Sequence, residues 1–510
     1  MCPDPEVDGP YERNGSGKFS SIDDATLAYL RDTLHVTHVW YTGVIRHATT
    51  ASFPGCPASN PSVVKGRAGS PYAIVDYYDV NPYLSDRPSD RMDEFEALIR
   101  RTHEAGLKVV IDFVPNHVSR DYGKVGMALR QAQGPLGAED DPSVHWRPEN
   151  DFYYYPGQQL ILPVPGPPYY ENPAKASGNC YSPTPGINDW YETIRLNYCD
   201  FHTRTWDKML DIVRYWCRKG VDGFRCDMVE MVPWQFFKWL IGEIKAEFQD
   251  VIFIAEVYSK DLYRRYIGEV GFDLLYDKSG LYDTLRSVVE GHGSARGITW
   301  NWQFLGDMQP RMLNFLENHD EQRFASPFFG HDASRAWAPL CMGLMLNTAP
   351  YMIYFGQEVG ERGMDAEGFS GLDGRTTIFD WWSVASLRRL HEYIHTGKGL
   401  TVKEEETLEL YSKALALASE PVISKGSTYD LCYCNLGSPG FDPGRHFAFL
   451  RHSVDRTLLF VCNFSGERMD ADILVPAEAF SYFGDNRKAT SIVAVSIKPS
   501  GYLAMPIIEP

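Results

Sequence analysis

Gly223-Phe224-Arg225-Cys226-Asp227 is an apolar run that ends on an arginine and an aspartate, and Phe253-Ile254-Ala255-Glu256 repeats the design 29 residues later. A short buried strand that delivers an ionisable side chain at its C-terminal end is how a parallel (β/α) barrel builds a site. A spacing of 29 residues is about one strand-loop-helix-loop unit of an eight-unit barrel of ~250 residues. Outward from this pair, the design recurs at Ile111-Asp112-Phe113-Val114-Pro115-Asn116-His117, at Phe315-Leu316-Glu317-Asn318-His319-Asp320 and at Met352-Ile353-Tyr354-Phe355-Gly356-Gln357-Glu358. Glu256 and Asp320 stand 64 residues apart, room for one more strand, which Gly271-Phe272-Asp273-Leu274-Leu275-Tyr276 supplies. Asp227, Glu256 and Asp320 are therefore predicted to converge on one face of one barrel. Three acids at the ends of apolar strands are costly without a task.

The segments ending at His117, Asp227, Glu256 and Asp320 resemble, in order, the four signature regions of the α-amylase superfamily, glycoside hydrolase family 13. The segment ending at Glu358 resembles that family's eighth-strand motif. Ser70-Pro71-Tyr72-Ala73-Ile74-Val75-Asp76-Tyr77-Tyr78-Asp79-Val80 resembles its tyrosine-bearing loop after the second strand. Each motif alone is weak; all of them in order, at barrel spacing and over most of the chain, are strong. The resemblance implies a (β/α)8 barrel with an insert domain after the third strand and a C-terminal all-β domain.

Composition agrees with a globular protein larger than one domain: 510 residues, 44% hydrophobic and 23% charged. A net charge of −18 disfavours nucleic acid and anionic membrane as partners. No run of 18 apolar residues appears, and Met1-Cys2-Pro3-Asp4-Pro5-Glu6 does not read as a signal peptide, so a cytoplasmic location is the expectation. The ten cysteines are scattered and read as reduced, buried thiols. Cys432-Tyr433-Cys434 lacks the spacer of a zinc or redox pair.

Along the chain, residues 24–31 read as a helix capped by Asp23 or Asp24, and residues 90–105 as a helix closed by Gly106. Residues 107–113 form a strand apolar along nearly its whole length, as a doubly covered parallel strand should be. Barrel alternation then divides the chain into 1–118 (barrel, first part), 119–200 (a Tyr-, Pro- and Gly-rich ordered insert), 201–399 (barrel, second part) and 400–510 (short antiparallel strands). The strands fall near residues 36–41, 107–113, 221–226, 252–256, 272–276, 312–317 and 351–355. That is seven. The helix at 24–31 precedes the first of them, and residues 1–20 contain no apolar run to serve as an earlier strand. The expectation is that the first barrel strand is missing from this chain, leaving a gap between the strands at 36–41 and 351–355.

Glycoside hydrolysis with retention needs two carboxyl groups roughly 5–5.5 Å apart, one as nucleophile and one as acid/base. The resemblance makes Asp227 the nucleophile, Glu256 the acid/base and Asp320 the third carboxylate, which binds sugar hydroxyls. Glu256 is expected in the more desolvated position, holding its proton. Arg225, two residues before Asp227, points into the same mouth and keeps Asp227 ionised. By resemblance His117 and His319 donate to sugar hydroxyls and Tyr72 stacks on the sugar. Asp112 and Glu358 read as structural. No cofactor is implied for the chemistry; Asn116 matches a calcium-ligand position of the family, but the carboxylate partner that calcium needs is not identifiable. Typical α-amylases carry Lys-His three and four residues after the nucleophile; here Glu230 and Met231 stand there, which favours short malto-oligosaccharides or glucosyl transfer over long starch. The leading expectation is a retaining hydrolase of α-1,4-linked glucose chains. Its rivals are a glucanotransferase or isomerising relative with the same carboxylates, and a non-catalytic α-amylase-like binding protein.

Overall fold

A computed structural model describes residues 9–126, 134–363, 371–484 and 490–507. Its centre is a curled sheet of seven parallel strands in chain order: β1 (His38–Tyr41), β2 (Lys108–Phe113), β3 (Gly223–Cys226), β4 (Ile252–Ala255), β5 (Leu274–Tyr276), β6 (Met312–Phe315) and β7 (Tyr351–Met352). Every expected strand is present and each is shorter than expected: β4, β6 and β7 stop early, where the chain turns into the loops of the mouth, and the other four begin one or two residues late. The inner strands β2, β3 and β6 are buried almost throughout, whereas no residue of β1 or β7 is fully buried.

Between β1 and β7 no ladder forms among the described residues. The chain ahead of β1 supplies no barrel strand over residues 9–37. It holds the helical turn Tyr11–Asn14, the 3-10 turn Phe19–Ser21 and the helix Asp24–Ala28, which runs on as a wider π-helical turn over Tyr29–Thr33. Asp23 caps that helix by accepting the Thr26 N–H at 3.0 Å. Residues 1–8, part of the stretch searched for a first strand, lie outside the described residues.

Helices cover the sheet. Arg91–Glu104 ends at Gly106, whose φ of +79° suits glycine. Arg204–Arg218 turns Trp206, Met209, Leu210, Val213 and Trp216 inward at the i, i+3, i+4, i+7 spacing of one helical face. Trp216 is 1% exposed and its indole N–H donates to Tyr77 O at 2.8 Å. A fully buried large apolar side chain of this kind contributes about 1.5–3 kcal/mol.

Residues 117–195 are ordered where described. His117–Ser119 pairs antiparallel with Thr193–Arg195, and Tyr154–Tyr155 with Ala174–Lys175. Arg120, fully buried, ties the segment together through Glu171 Oε1 at 2.6 Å and Ser177 Oγ at 2.8 Å.

The region after residue 400 departs from the expected run of short strands. Val402–Ser419 is a helix of 18 residues that begins with a reciprocal Thr401–Glu404 capping box. A four-stranded antiparallel sheet follows, ordered Ser427–Asp430, His446–Ser453, Arg456–Asn463, Tyr502–Pro506, and Met469–Val475 pairs with Ser491–Ile497. Tyr433–Asn435 is a 3-10 turn, not strand, because Cys432 N–H is drawn onto Asp430 Oδ1 at 2.7 Å. The nine cysteines among the described residues are all free. No helix among the described residues is long and apolar enough to cross a membrane.

Candidate active site

The sheet's hydrogen bonds run one residue past the strands and fix the acids. Asp227 N–H donates to Phe113 O at 2.9 Å, and Glu256 N–H to Cys226 O at 3.1 Å. Register places Asp112 of β2 opposite Arg225 of β3, and Cys226 opposite Ala255 of β4. Both carboxyls are thus carried on the ladder itself, while Asp320 is delivered by the loop after β6, where Asn318 Oδ1 accepts its N–H at 2.8 Å.

Arg225 is the centre of the site and is fully buried. Its Nη1 donates to Asp227 Oδ1 at 2.8 Å and lies 3.7 Å from Asp112 Oδ1. Its Nη2 closes to 2.8 Å from Glu256 Oε2, an ionic contact without the alignment of a hydrogen bond. Nε donates to the Tyr276 hydroxyl at 3.3 Å. The rings of Trp40, Tyr72 and Tyr276 surround the guanidinium at 5.4–5.6 Å, within cation–π range. Asp112 organises the mouth: its Oδ2 accepts from Trp40 Nε1 (3.1 Å), the Thr42 hydroxyl (2.9 Å) and Gly43 N–H (3.2 Å).

Burial pushes the Asp227 carboxyl well above the ordinary range; the Glu256 charge adds to this, and Arg225 opposes it. Glu256 is the more buried of the two carboxyls, 3% exposed against 6% for Asp227, and it is nonetheless well supplied with donors. Besides Arg225, Glu256 Oε2 accepts Met228 N–H at 2.8 Å, and Oε1 accepts the Tyr258 hydroxyl at 2.7 Å. The amide is aimed there because Met228 adopts a left-handed backbone, φ +44°, which costs a non-glycine residue of order 1 kcal/mol or more. Asp320 is the open member, 45% exposed at its side chain. Desolvation works against its ionisation, but His319, at 3.1 Å, and then Arg225 hold it below the ordinary range.

Tyr72 and His319 are brought together. The Tyr72 hydroxyl meets His319 Nε2 at 2.5 Å and the rings stack at 5.4 Å. His117 is buried, with its ring against Trp190 at 5.1 Å and within reach of the Tyr72 backbone. Burial, with Arg195 and Lys65 nearby, pushes its imidazole down to about 3, so it serves as a neutral hydrogen-bonding group. Glu358 sits apart, accepting the Tyr29 hydroxyl at 3.1 Å.

Asn116 turns its amide nitrogen to Gly178 O at 3.0 Å and towards His117 Nδ1 at 3.2 Å. The described residues hold no group of three acidic, His or Cys side chains able to take a metal ion.

Against the turn that follows the nucleophile strand, a pocket of about 380 Å³ is walled by Glu230, Met231, Trp234, Tyr153, Tyr181 and Arg195. Arg195 faces the Tyr181 ring at 4.8 Å and donates to Met231 O at 3.1 Å.

Sequence reasoning missed Trp40, Tyr276, Met228 and Tyr258. Trp40 and Tyr276 stand at the C-terminal ends of β1 and β5, where the rule that found the acids would also have found them. Met228 and Tyr258 lie beyond strand ends in turns, and no periodicity marks them.

Residues 12–409 match the family described as "Alpha amylase, catalytic domain". Alpha-amylase 3 of Dictyoglomus thermophilum is 26% identical over 310 residues, 57% of this chain and 54% of that protein. An alpha-1,4-glucan:maltose-1-phosphate maltosyltransferase of Cereibacter sphaeroides is 26% identical over 308 residues, 57% of this chain and 36% of that protein. The chain thus spans about half the length, or less, of these two curated relatives. Among solved structures, the maltogenic alpha-amylase AmyB of Thermotoga neapolitana superposes with a TM-score of 0.59 at 22% identity, covering 97% of this chain and 93% of that one. At that identity the likeness is one of fold.

Proposed function

Because the chain belongs to the alpha-amylase family by its catalytic domain, we propose that it is a retaining glycosidase acting on α-1,4-linked glucans, with Asp227 as nucleophile and Glu256 as acid/base. The observation that carries this reading is the Arg225 fork, two neighbouring nitrogens of one guanidinium each at 2.8 Å from one of the two carboxyls. That grip supports the short separation of retention rather than the wider one that admits a water. Glu256 gives a proton to the glycosidic oxygen as the bond breaks, while the Asp227 carboxylate forms an ester to the anomeric carbon. Water then attacks that carbon, Glu256 takes its proton, and Asp227 leaves as carboxylate. Asp320, His319 and Tyr72 line the place of the cleaved sugar and bind its hydroxyls.

A second reading, transfer of the glucosyl unit to another sugar, is favoured by the aromatic pocket beside Glu230 and Met231, which would seat an acceptor and shelter the intermediate from water. It also fits the maltosyltransferase among the relatives. Incubation with maltotriose, followed by proton NMR and product sizing, tests both. Initial α-anomer with only shorter products means retaining hydrolysis; longer oligosaccharides mean transfer. Initial β-anomer, or no turnover, overturns the proposal.

A further inference from the structure

One side chain in contact with Glu256 takes no part in the steps above. Tyr258 lies two residues past Glu256, beyond the end of β4, and its hydroxyl donates to Oε1 at 2.7 Å. The other oxygen is engaged by fixed groups: the fully buried Arg225 pairs with it ionically, and the Met228 amide, set by its left-handed backbone, donates to it. Tyr258 is therefore the donor on Glu256 that a side-chain rotation can remove. Burial and the Glu256 charge push its phenol far above the ordinary range, so the hydroxyl keeps its hydrogen and faces the carboxylate only as donor. The turn that carries it is tied down from β3. Glu230 Oε1 accepts the N–H of Ser259, the residue after Tyr258, at 2.8 Å. Glu230 occupies one of the two positions where this chain departs from the Lys-His pattern.

We propose that Tyr258, anchored by Glu230 through Ser259, is a positioning residue that holds Glu256 by Oε1 and yields that oxygen to the glycosidic oxygen of an arriving α-glucan. The proposal rests on the assignment of Glu256 as acid/base. With Oε2 taken by Arg225 and Met228, proton transfer to a leaving group has to use Oε1. A donor aimed at Oε1 fixes the carboxyl rotamer and favours the charged form. Its removal makes the Glu256 proton harder to lose. The other titratable or charged groups facing Glu256, namely Arg225 of β3, Asp227 after it and Tyr276 of β5, together with Asp320, which faces Tyr258, keep their side chains on substitution at position 258. A shift therefore reports Tyr258 itself.

Tyr258→Phe removes one oxygen and keeps the ring. Infrared difference titration of the carboxyl stretch, with the band assigned by its loss in Glu256→Gln, reads the Glu256 midpoint without any turnover. The expected result is a midpoint raised by about one pH unit, the size of one hydrogen bond to a charged group. The alkaline limb of kcat/KM on maltotriose should move up by the same amount. Glu230→Ala, which frees the turn, should give a smaller shift of the same sign. An unchanged midpoint in Tyr258→Phe, or in Tyr258→Leu if the first variant does not fold, overturns the proposal. A wild-type protein inert on maltotriose overturns the glycosidase reading instead, and the infrared midpoint still decides whether Tyr258 acts on Glu256.

Discussion

Arg225 shows how a single side chain can carry a site. It is closed off from water and serves two carboxyls at once. Removing one partner of a buried ionic cluster leaves the rest uncompensated, at a cost of about 3–5 kcal/mol. Arg225→Leu should lose that much stability in urea unfolding and all glucan-cleaving activity. Arg225→Lys should fold but lose activity, since one ammonium cannot serve both carboxyls as a planar fork does. Asp277, at the end of β5, supplies a pH-dependent prediction. Burial raises its carboxyl to about 6, opposed by the Asn301 amide, which donates at 3.0 Å. A folded value above the unfolded 3.8 means that the folded state binds the proton more tightly. The charged form then destabilises the fold fully above pH 6 and not at all below about pH 4. Asp277→Asn should therefore gain about 2–3 kcal/mol at pH 8 and nothing at pH 3.5, as urea unfolding at the two pH values will read. The acids and Arg225 were legible in the sequence because strand ends are marked by apolar runs. The left-handed Met228 was not, since backbone sign has no signature in a methionine.

At the scale of elements, the seven strands were legible from their apolar runs alone, and the helices at 24–28 and 91–104 from their caps. The helix Val402–Ser419 was missed, although Thr401-Val402-Lys403-Glu404 is a capping-box signature in plain sequence. Its charged first turn and weak apolar stripe hid the helical period, and tertiary packing against Gln357–Val359 and Trp337–Met345 completes it. In the structure Thr401 and Glu404 satisfy each other's backbone N–H groups, and Glu404 also pairs with Arg389. Thr401→Val keeps the shape and removes the acceptor. It should cost about 1 kcal/mol, seen as faster amide exchange across residues 402–406 with no change at β3 or β4.

The whole molecule is asymmetric around its barrel. β2, β3 and β4 have partners on both sides, whereas β1 and β7 have one each among the described residues. Hydrogen exchange followed by mass spectrometry should therefore find peptides of β2, β3 and β4 protected for hours. Peptides covering 38–41 and 351–352 should exchange markedly faster; equal protection would mean that the edges are paired in solution. The sheet order, and the lack of a ladder between β1 and β7 among the described residues, were legible from strand count, because each helix before a strand demands a strand before it. The fold of residues 119–200 was legible only as an ordered insertion, since two- and three-residue strands held by Arg120 leave no periodicity.

Asp227 and Glu256 sit on the ladder of the sheet, whereas the pocket past the nucleophile takes Tyr153, Tyr181 and Arg195 from the insertion. Reaction and selectivity are thus inherited on separate stretches of chain. A lineage can redraw the walls by loop replacement, trading one oligosaccharide for another, while the strand-borne charges pass on untouched. Diversification of such enzymes is then expected to accumulate in residues 119–200 and in the turn at 231–234, and directed evolution libraries aimed there should change products before they abolish turnover.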